Sequence, residues 1–326
     1  MALVTDEGPE ASGTGRSQTR SRLSAAHHTP GRVPPEVARH ARDADGAAGA
    51  DPPARVGLLE MGFERISGRT ELVRRYGRMP LRTGRAQYAD PLRPQMAFVR
   101  LMPAEGGMLQ EDRQRVDVCC GAESEVHLTT GAVTEVRGME SGYATRLVNL
   151  SAGPDAYLEY LPEPLLPFPG ARLYQRTVIT ADPTATVVIG ETVAKGRTGS
   201  GARHAYDVLG LDLEVRRPDG RLLALDALRL CPDRDDVTGP GVPAGSTHLA
   251  SLFVVTGRCA ATEVADALHG ALGGRGLAYG VSVLPHGCGA WLRVLGDDGT
   301  AVAAARYAGW DAARRLLTGS RAPRPA

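Results

Sequence analysis

The sequence predicts a mostly β body with a small helical supplement at its C-terminal end, and three observations carry that expectation. Short apolar segments with period-two alternation recur at near-regular spacing from residue 56 to residue 295. Convincing helical periodicity begins only after residue 260. Strands do not alternate with crossover helices, which argues against a doubly wound α/β enzyme fold.

Composition bounds what the body is made of. The chain has 326 residues, 42% hydrophobic but only 5% aromatic, so Val, Leu and Ala do most of the packing. That length suits one large domain or two small ones. Lys and Arg total 38 against 37 Asp and Glu, a formal net charge of +1. Nothing electrostatic therefore points to nucleic acid or a membrane surface. No apolar run approaches the ~18 residues a membrane-spanning helix requires, and the N-terminus lacks a signal pattern. Five cysteines without regular spacing argue against a disulfide framework. The expected location is the cytoplasm.

Residues 1–54 mix Gly, Pro, Ser, Arg and Asp without apolar periodicity and read as a disordered leader, His27 and His28 included. Order begins at residue 55, with strands at 56–63, 70–73 and 96–101. Then come the turn Gly106-Gly107, the elbow Gln110-Glu111-Asp112, and two strands hinged at Gly121. In the first of these Val116, Val118 and Cys120 point one way and Asp117 and Cys119 the other. The second alternates through Val126 and Leu128 to Thr129-Thr130. Further strands follow at 143–150 and 156–161. Four prolines between 162 and 170 make a stiff extended crossing, not a helix or central strand. Strands at 173–180 and 184–193 precede a hairpin of 206–216 and 222–230, turned at 218–220. After a loop at 233–246 come a strand at 248–255, a helix at 262–268 stopped by Gly273-Gly274, and strands at 281–284 and 291–295. A final helix over 300–318 presents Val302, Ala305, Trp310, Ala313 and Leu317 on one face, with Arg306, Arg314 and Arg315 elsewhere and Gly319 as its stop. Residues 321–326 read as a disordered tail. No internal repeat of fixed period is visible.

Catalytic motifs are absent: the sequence has no G-x-S-x-G, P-loop lysine, H-E-x-x-H or C-x-x-C. His127, His204, His248 and His286 lie on or beside separate strands and read as hydrogen-bonded structural histidines. Cys288 with His286 is the best thiol–imidazole pair, although a glycine turn gives neither an orienting third group. Carboxylates are scattered: Asp112, Glu159, Glu163, Glu191, Asp207 and Asp226. Oxygen ligands of this kind either solvate strand ends or relay a divalent ion.

The order of several motifs resembles the urease accessory protein UreD family, called UreH in some organisms. The pieces are Gly106-Gly107 through Asp112-Arg113, Leu128-Thr129-Thr130-Gly131, and Leu158-Glu159-Tyr160-Leu161-Pro162-Glu163-Pro164. Pro167-Phe168-Pro169-Gly170-Ala171, Tyr174-Gln175, Glu191 with Gly196-Arg197, the stretch 289–296, and Trp310 with Arg314 complete the set. The resemblance covers about residues 55–320. Three positions depart from the pattern: Glu111 enters the glycine elbow, Gly131 stands where the family has glutamine, and Ala202 where it has an acid.

The resemblance implies an elongated stacked-sheet, β-helix-like body with two C-terminal helices. It also implies a non-catalytic maturation chaperone without a tightly bound cofactor. Such a protein binds UreF as a dimer of heterodimers, recruits the GTPase UreG, docks on apo-urease and passes nickel through a tunnel. By that resemblance Asp112, Thr129, Thr130, Glu159 and Glu191 are candidates to line the metal path. Gly106, Gly107, Tyr160, Pro162, Gln175, Gly196, Arg197 and Trp310 are motif or partner candidates. Two other readings stand beside it: a β-rich thiol or carboxylate hydrolase, and an adaptor that passes no metal.

Overall fold

The alternating segments fold into two sheets wound as one coil. The computed structural model describes residue 22 and residues 25–41, 55–194, 204–234 and 246–323. The early strands are β1 (Val56–Ile66), β2 (Arg69–Arg78), β3 (Arg82–Thr83), β4 (Ala97–Met102), β5 (Arg113–Cys120) and β6 (Glu125–Thr130). Next come β7 (Thr134–Val136), β8 (Ala144–Ala152), β9 (Tyr157–Tyr160), β10 (Leu165–Pro167), β11 (Arg172–Ala181) and β12 (Thr186–Val193). The last are β13 (Val208–Arg216), β14 (Leu222–Leu230), β15 (His248–Thr256), β16 (Ala278–Val283) and β17 (Gly289–Gly296). One sheet has the order β14-β13-β11-β8-β5-β1-β2, and the other β16-β17-β15-β12-β9-β6-β4-β3.

From β4 to β13 the main strands visit the two sheets in turn, and successive strands within a sheet run parallel. Arg113 pairs with Thr145 and Ala144 with Leu173, while Ala97 pairs with Val126 and Glu125 with Tyr157. This is a β-solenoid-like stack whose turns differ in length, hence a structural repeat with no fixed sequence period. Antiparallel additions close it: β1 with β2, β3 with β4, β13 with β14, and β15 to β17.

Hydrogen bonding corrects one expectation. The strands either side of Gly121 do not pair with each other. β5 lies between β1 and β8, and β6 between β4 and β9, in opposite sheets. The turn at 121–124 carries the chain across the coil, because each strand's partners lie a full turn away in sequence. The proline crossing contains the three-residue β10, paired with β7, and only its last residue is proline. The hairpin of β13 and β14 forms as expected, with Gly220 at φ 86°.

Inward positions of both sheets, among them Val116, Val118, Leu128, Val148, Leu158, Ile179, Val187 and Ile189, make the main core. A fully buried Leu or Ile stabilises by roughly 1.5–3 kcal/mol. A second core lies on the outer face of the β15 sheet, beneath α3 (Ala261–Leu272) and α4 (Gly299–Thr318). Asp298 caps α4 by accepting from the Thr300 amide, and Gly319 ends it in the left-handed region. A side chain at Gly309 would meet Leu292 at 2.8 Å, so that glycine lets the helix lie close on the sheet.

Both chain ends contribute described structure within segments that composition assigns to leader and tail. α1 (Ala25–His28) and α2 (Pro35–Ala38) lie against the β5 sheet, where Val37 packs with Tyr174, Val208 and Cys231. The backbone oxygen of His27 accepts from Arg115 at 2.9 Å, and the His28 ring bonds the Arg22 carbonyl at 2.7 Å. A few apolar anchors suffice there, and anchors so sparse leave no periodicity. Ala322 is buried, and its amide donates to Asp311 at 2.7 Å. No helix of the described residues is long and apolar enough to cross a membrane.

Candidate functional site

Among the described residues polar clusters interrupt the apolar packing, one of them inside the coil and another beneath α4. The inner cluster follows from strand parity. On β8, Arg146 shares the inward parity of Val148 and Leu150, and parallel register sets it between Gln114 of β5 and Gln175 of β11. On the facing sheet, register aligns Glu191 of β12 with Ser251 of β15 and Arg293 of β17. Hydrogen bonds cross between the sheets: Gln175 donates to Glu191 at 2.9 Å, and Arg293 to Asp226 at 2.7 Å. Arg293 also donates to Ser251 at 3.0 Å.

This seam is polar but incompletely paired. Gln114 Nε2 and Arg146 Nε have no hydrogen-bond partner among the described residues. Burial pushes the Glu191 carboxyl up to about 7; the Asp226 charge adds to the rise, and Gln175, Arg293 and Thr177 oppose it. Burial likewise raises the Tyr160 phenol, which feels Arg146 and Glu191 in opposite directions. Predicted residues Glu191, Gln175 and Tyr160 are therefore brought together.

The second cluster centres on Glu159, fully buried on the outer face of β9. His127 contacts one carboxylate oxygen at 2.7 Å. The other oxygen accepts from Tyr157 at 2.8 Å and from Trp310 of α4 at 2.9 Å, with Arg314 Nε at 3.5 Å. Arg314, also fully buried, reaches on to Asp90. Burial alone would raise the Glu159 pKa, but the His127 bond and charge, the Arg314 charge and the Trp310 donor hold it below the usual range. Burial raises the Tyr157 phenol far above its ordinary value. Sequence periodicity places Arg314 off the packed face of α4; it lies on that face instead, because Asp90 and Glu159 meet its charge from below.

Beside α4 a cleft of about 890 Å3 opens over β4 and β6, lined by Phe98, His127, Thr129, Thr130, Arg306 and Trp310 among others. Phe98 stacks on His127 with ring centroids 4.6 Å apart. Thr129 donates to the Leu161 carbonyl at 2.8 Å, and Thr130 bonds the Ala132 carbonyl and the Glu163 amide. The Pro162 carbonyl accepts from Arg306 at 3.2 Å.

Asp112 stands in neither cluster. It is buried at the start of β5, where its carboxylate accepts from the Arg55 guanidinium and from the Leu109 amide at 2.9 Å. Gly106 and Gly107 both have positive φ, and a side chain on Gly107 would meet the Glu135 carbonyl at 2.7 Å. Gly196 and Arg197 lie outside the described residues. Cys288 is buried, which raises its thiol pKa, and no hydrogen bond joins it to His286 among the described residues. All five cysteines are free. Among the described residues no group of three or more His, Cys, Asp or Glu is arranged to hold a metal ion. Gln114, Arg146 and Arg293 are not among the candidate site residues of the sequence, although Arg293 lies within the motif stretch 289–296. The one available signal was a polar residue at inward parity in an otherwise apolar strand.

Fold and clusters together define a class: a two-sheet β-solenoid clasped by a helical pair, with a polar seam through its interior. The family model described as UreD urease accessory protein matches residues 55–326. The chain is 52% identical over 273 residues to Urease accessory protein UreD 2 of Streptomyces griseus, covering 83% of this chain and 93% of that one. It is 33% identical over 289 residues to Urease accessory protein UreD of Haloarcula marismortui, with 89% and 96% covered. With Urease accessory protein UreD 2 of Brucella suis the identity is 32% over 270 residues, with 82% and 89% covered. This chain belongs to the UreD urease accessory protein family.

Proposed function

We propose that this chain is a non-catalytic scaffold for urease maturation in the cytoplasm. It binds UreF, recruits UreG through that pair, docks on apo-urease and helps deliver nickel to the active site, while GTP hydrolysis belongs to UreG. The observation that carries the reading, beside family membership, is the polar seam inside the coil. Nickel in transit calls for oxygen ligands spread along a path, each holding the ion weakly, and not for a closed ligand set. Glu191, Asp226, Gln175 and Ser251 offer such oxygens. Asp112, already clamped by Arg55, serves this path through that arginine, which also donates to the Gly107 carbonyl and so holds the Gly106-Gly107 turn in place. The Glu159 cluster fixes α4 on the coil and so shapes the neighbouring cleft.

Co-expression with the cognate urease, UreF and UreG tests the reading. Deleting this chain is expected to leave urease without nickel and without activity. Glu191→Ala is expected to lower the nickel content of urease about tenfold while the accessory complex still co-purifies. Full nickel loading with that variant would leave an adaptor that passes no metal. Full urease activity after deletion would overturn the scaffold itself.

A further inference from the structure

Neither cluster accounts for the free edge of the seven-stranded sheet. Among the described residues β2 is the last strand of that sheet and pairs with β1 alone. Between Arg69 and Arg85 the chain carries six arginines, at 69, 74, 75, 78, 82 and 85, and one carboxylate, Glu71, in a protein of formal net charge +1. Arg69 and Arg82 are paired, with Glu71 and Glu105. Arg74, Arg75, Arg78 and Arg85 form no salt bridge with any carboxylate among the described residues.

Charge alone would be ordinary protection of a sheet edge against unwanted pairing. This edge also exposes Val73 (46%), Tyr76 (38%) and Met79 (56%). Large apolar groups interleaved with arginine do nothing for protection, but they are what a docking strip presents. The register with β1 skips Val73, a bulge, and resumes without a break from Arg74 to Arg78. Within that run Arg74, Tyr76 and Arg78 share one face, with Arg75 on the other. The start of β2 is shielded by Tyr88, whose hydroxyl bonds the Thr70 carbonyl, and by the Gln95 carbonyl, which accepts from the Thr70 amide. The Arg78 carbonyl accepts from the Leu81 amide, so the open part is the arginine run up to that carbonyl.

We propose that β2 is a docking edge for an extended acidic segment of a partner protein, which adds to the sheet as a further strand. Backbone pairing along 74–78 supplies affinity, and carboxylates at alternate positions meeting Arg74 and Arg78 supply selectivity. The proposal is independent of nickel passage.

The test uses the purified full-length chain and a labelled extended peptide of about ten alternating Glu and Val residues. Controls are the same peptide with Gln for Glu and a single-stranded oligodeoxynucleotide of equal charge. The acidic peptide is expected to bind at least about tenfold more tightly than the Gln peptide, to weaken with salt, and to slow amide exchange along 74–78. Combining Arg74→Glu, Arg75→Glu and Arg78→Glu abolishes binding, while lysine at the same positions retains most of it, with unchanged circular dichroism in both. No binding of the acidic peptide to the unaltered chain would overturn the proposal. So would equal binding of the oligonucleotide with no protection along 74–78, since the arginines would then be a general polyanion surface.

Discussion

Glu159 and Glu191 sit on neighbouring strands, β9 and β12, yet their carboxyls are displaced in opposite directions. Glu159 faces outward beneath α4, where Tyr157 and Trp310 donate hydrogen bonds, the His127 ring bonds the other oxygen and Arg314 supplies positive charge. Glu191 faces the seam, held chiefly by Gln175 and raised further by Asp226. Desolvation acts on both; partner number decides which way each moves. A buried carboxylate with its oxygens taken up is a lock, whereas one that is under-partnered stays chemically available. Two kinds of polar burial thus coexist in one fold, one securing a helix and the other opening an interior.

Breaking the lock is expected to have the largest effect. Arg314→Ala leaves Asp90 and Glu159 as buried carboxylates without the guanidinium they share, and should destabilise by about 3–5 kcal/mol in urea unfolding. An effect below 1 kcal/mol would mean that the cluster does not hold α4. Asp112→Ala removes the acceptor of Arg55 at the elbow and should lower stability by about 2 kcal/mol in the same measurement.

The seam should respond with the opposite sign. A folded-state pKa near 7, above the ordinary 4.5, means that the unfolded chain gives up its proton first as pH rises. Glu191 therefore withdraws stability between those values, and the full penalty stands above pH 7. Glu191→Gln removes it and is expected to stabilise by about 2 kcal/mol at pH 8, with little change at pH 4. A destabilised variant at pH 8 would place Glu191 among the locks. The smallest change tests a single hydrogen bond: Trp310→Phe removes one donor to the Glu159 carboxylate and should cost about 1.5 kcal/mol by thermal unfolding.

Part of this was legible in advance. Alternation placed Val116, Val118 and Cys120 on one face of β5 and Asp117 and Cys119 on the other, as the burial of that strand agrees. The late helices, the hairpin at Gly220 and the stop at Gly319 followed from local rules of periodicity and turn chemistry. The edge strand β2 ran past its expected end because an exposed strand rich in arginine carries no alternation to read. Arg314 was misplaced for a related reason, since a helix periodicity treats every arginine as solvent-facing.

By itself the sequence determined the β content, the helical pair and, through an ordered set of motifs, the family resemblance, because these depend on neighbours within a few residues or on motif order along the chain. Only the tertiary structure decided that the strands flanking Gly121 belong to opposite sheets, that Glu159 is locked, and that Glu191 is left available. Those outcomes depend on partners a full coil turn away or farther: Trp310 lies 151 residues from Glu159 in the chain and 2.9 Å from it in space. Parity fixes the face on which a side chain stands; the winding of the coil chooses what stands opposite.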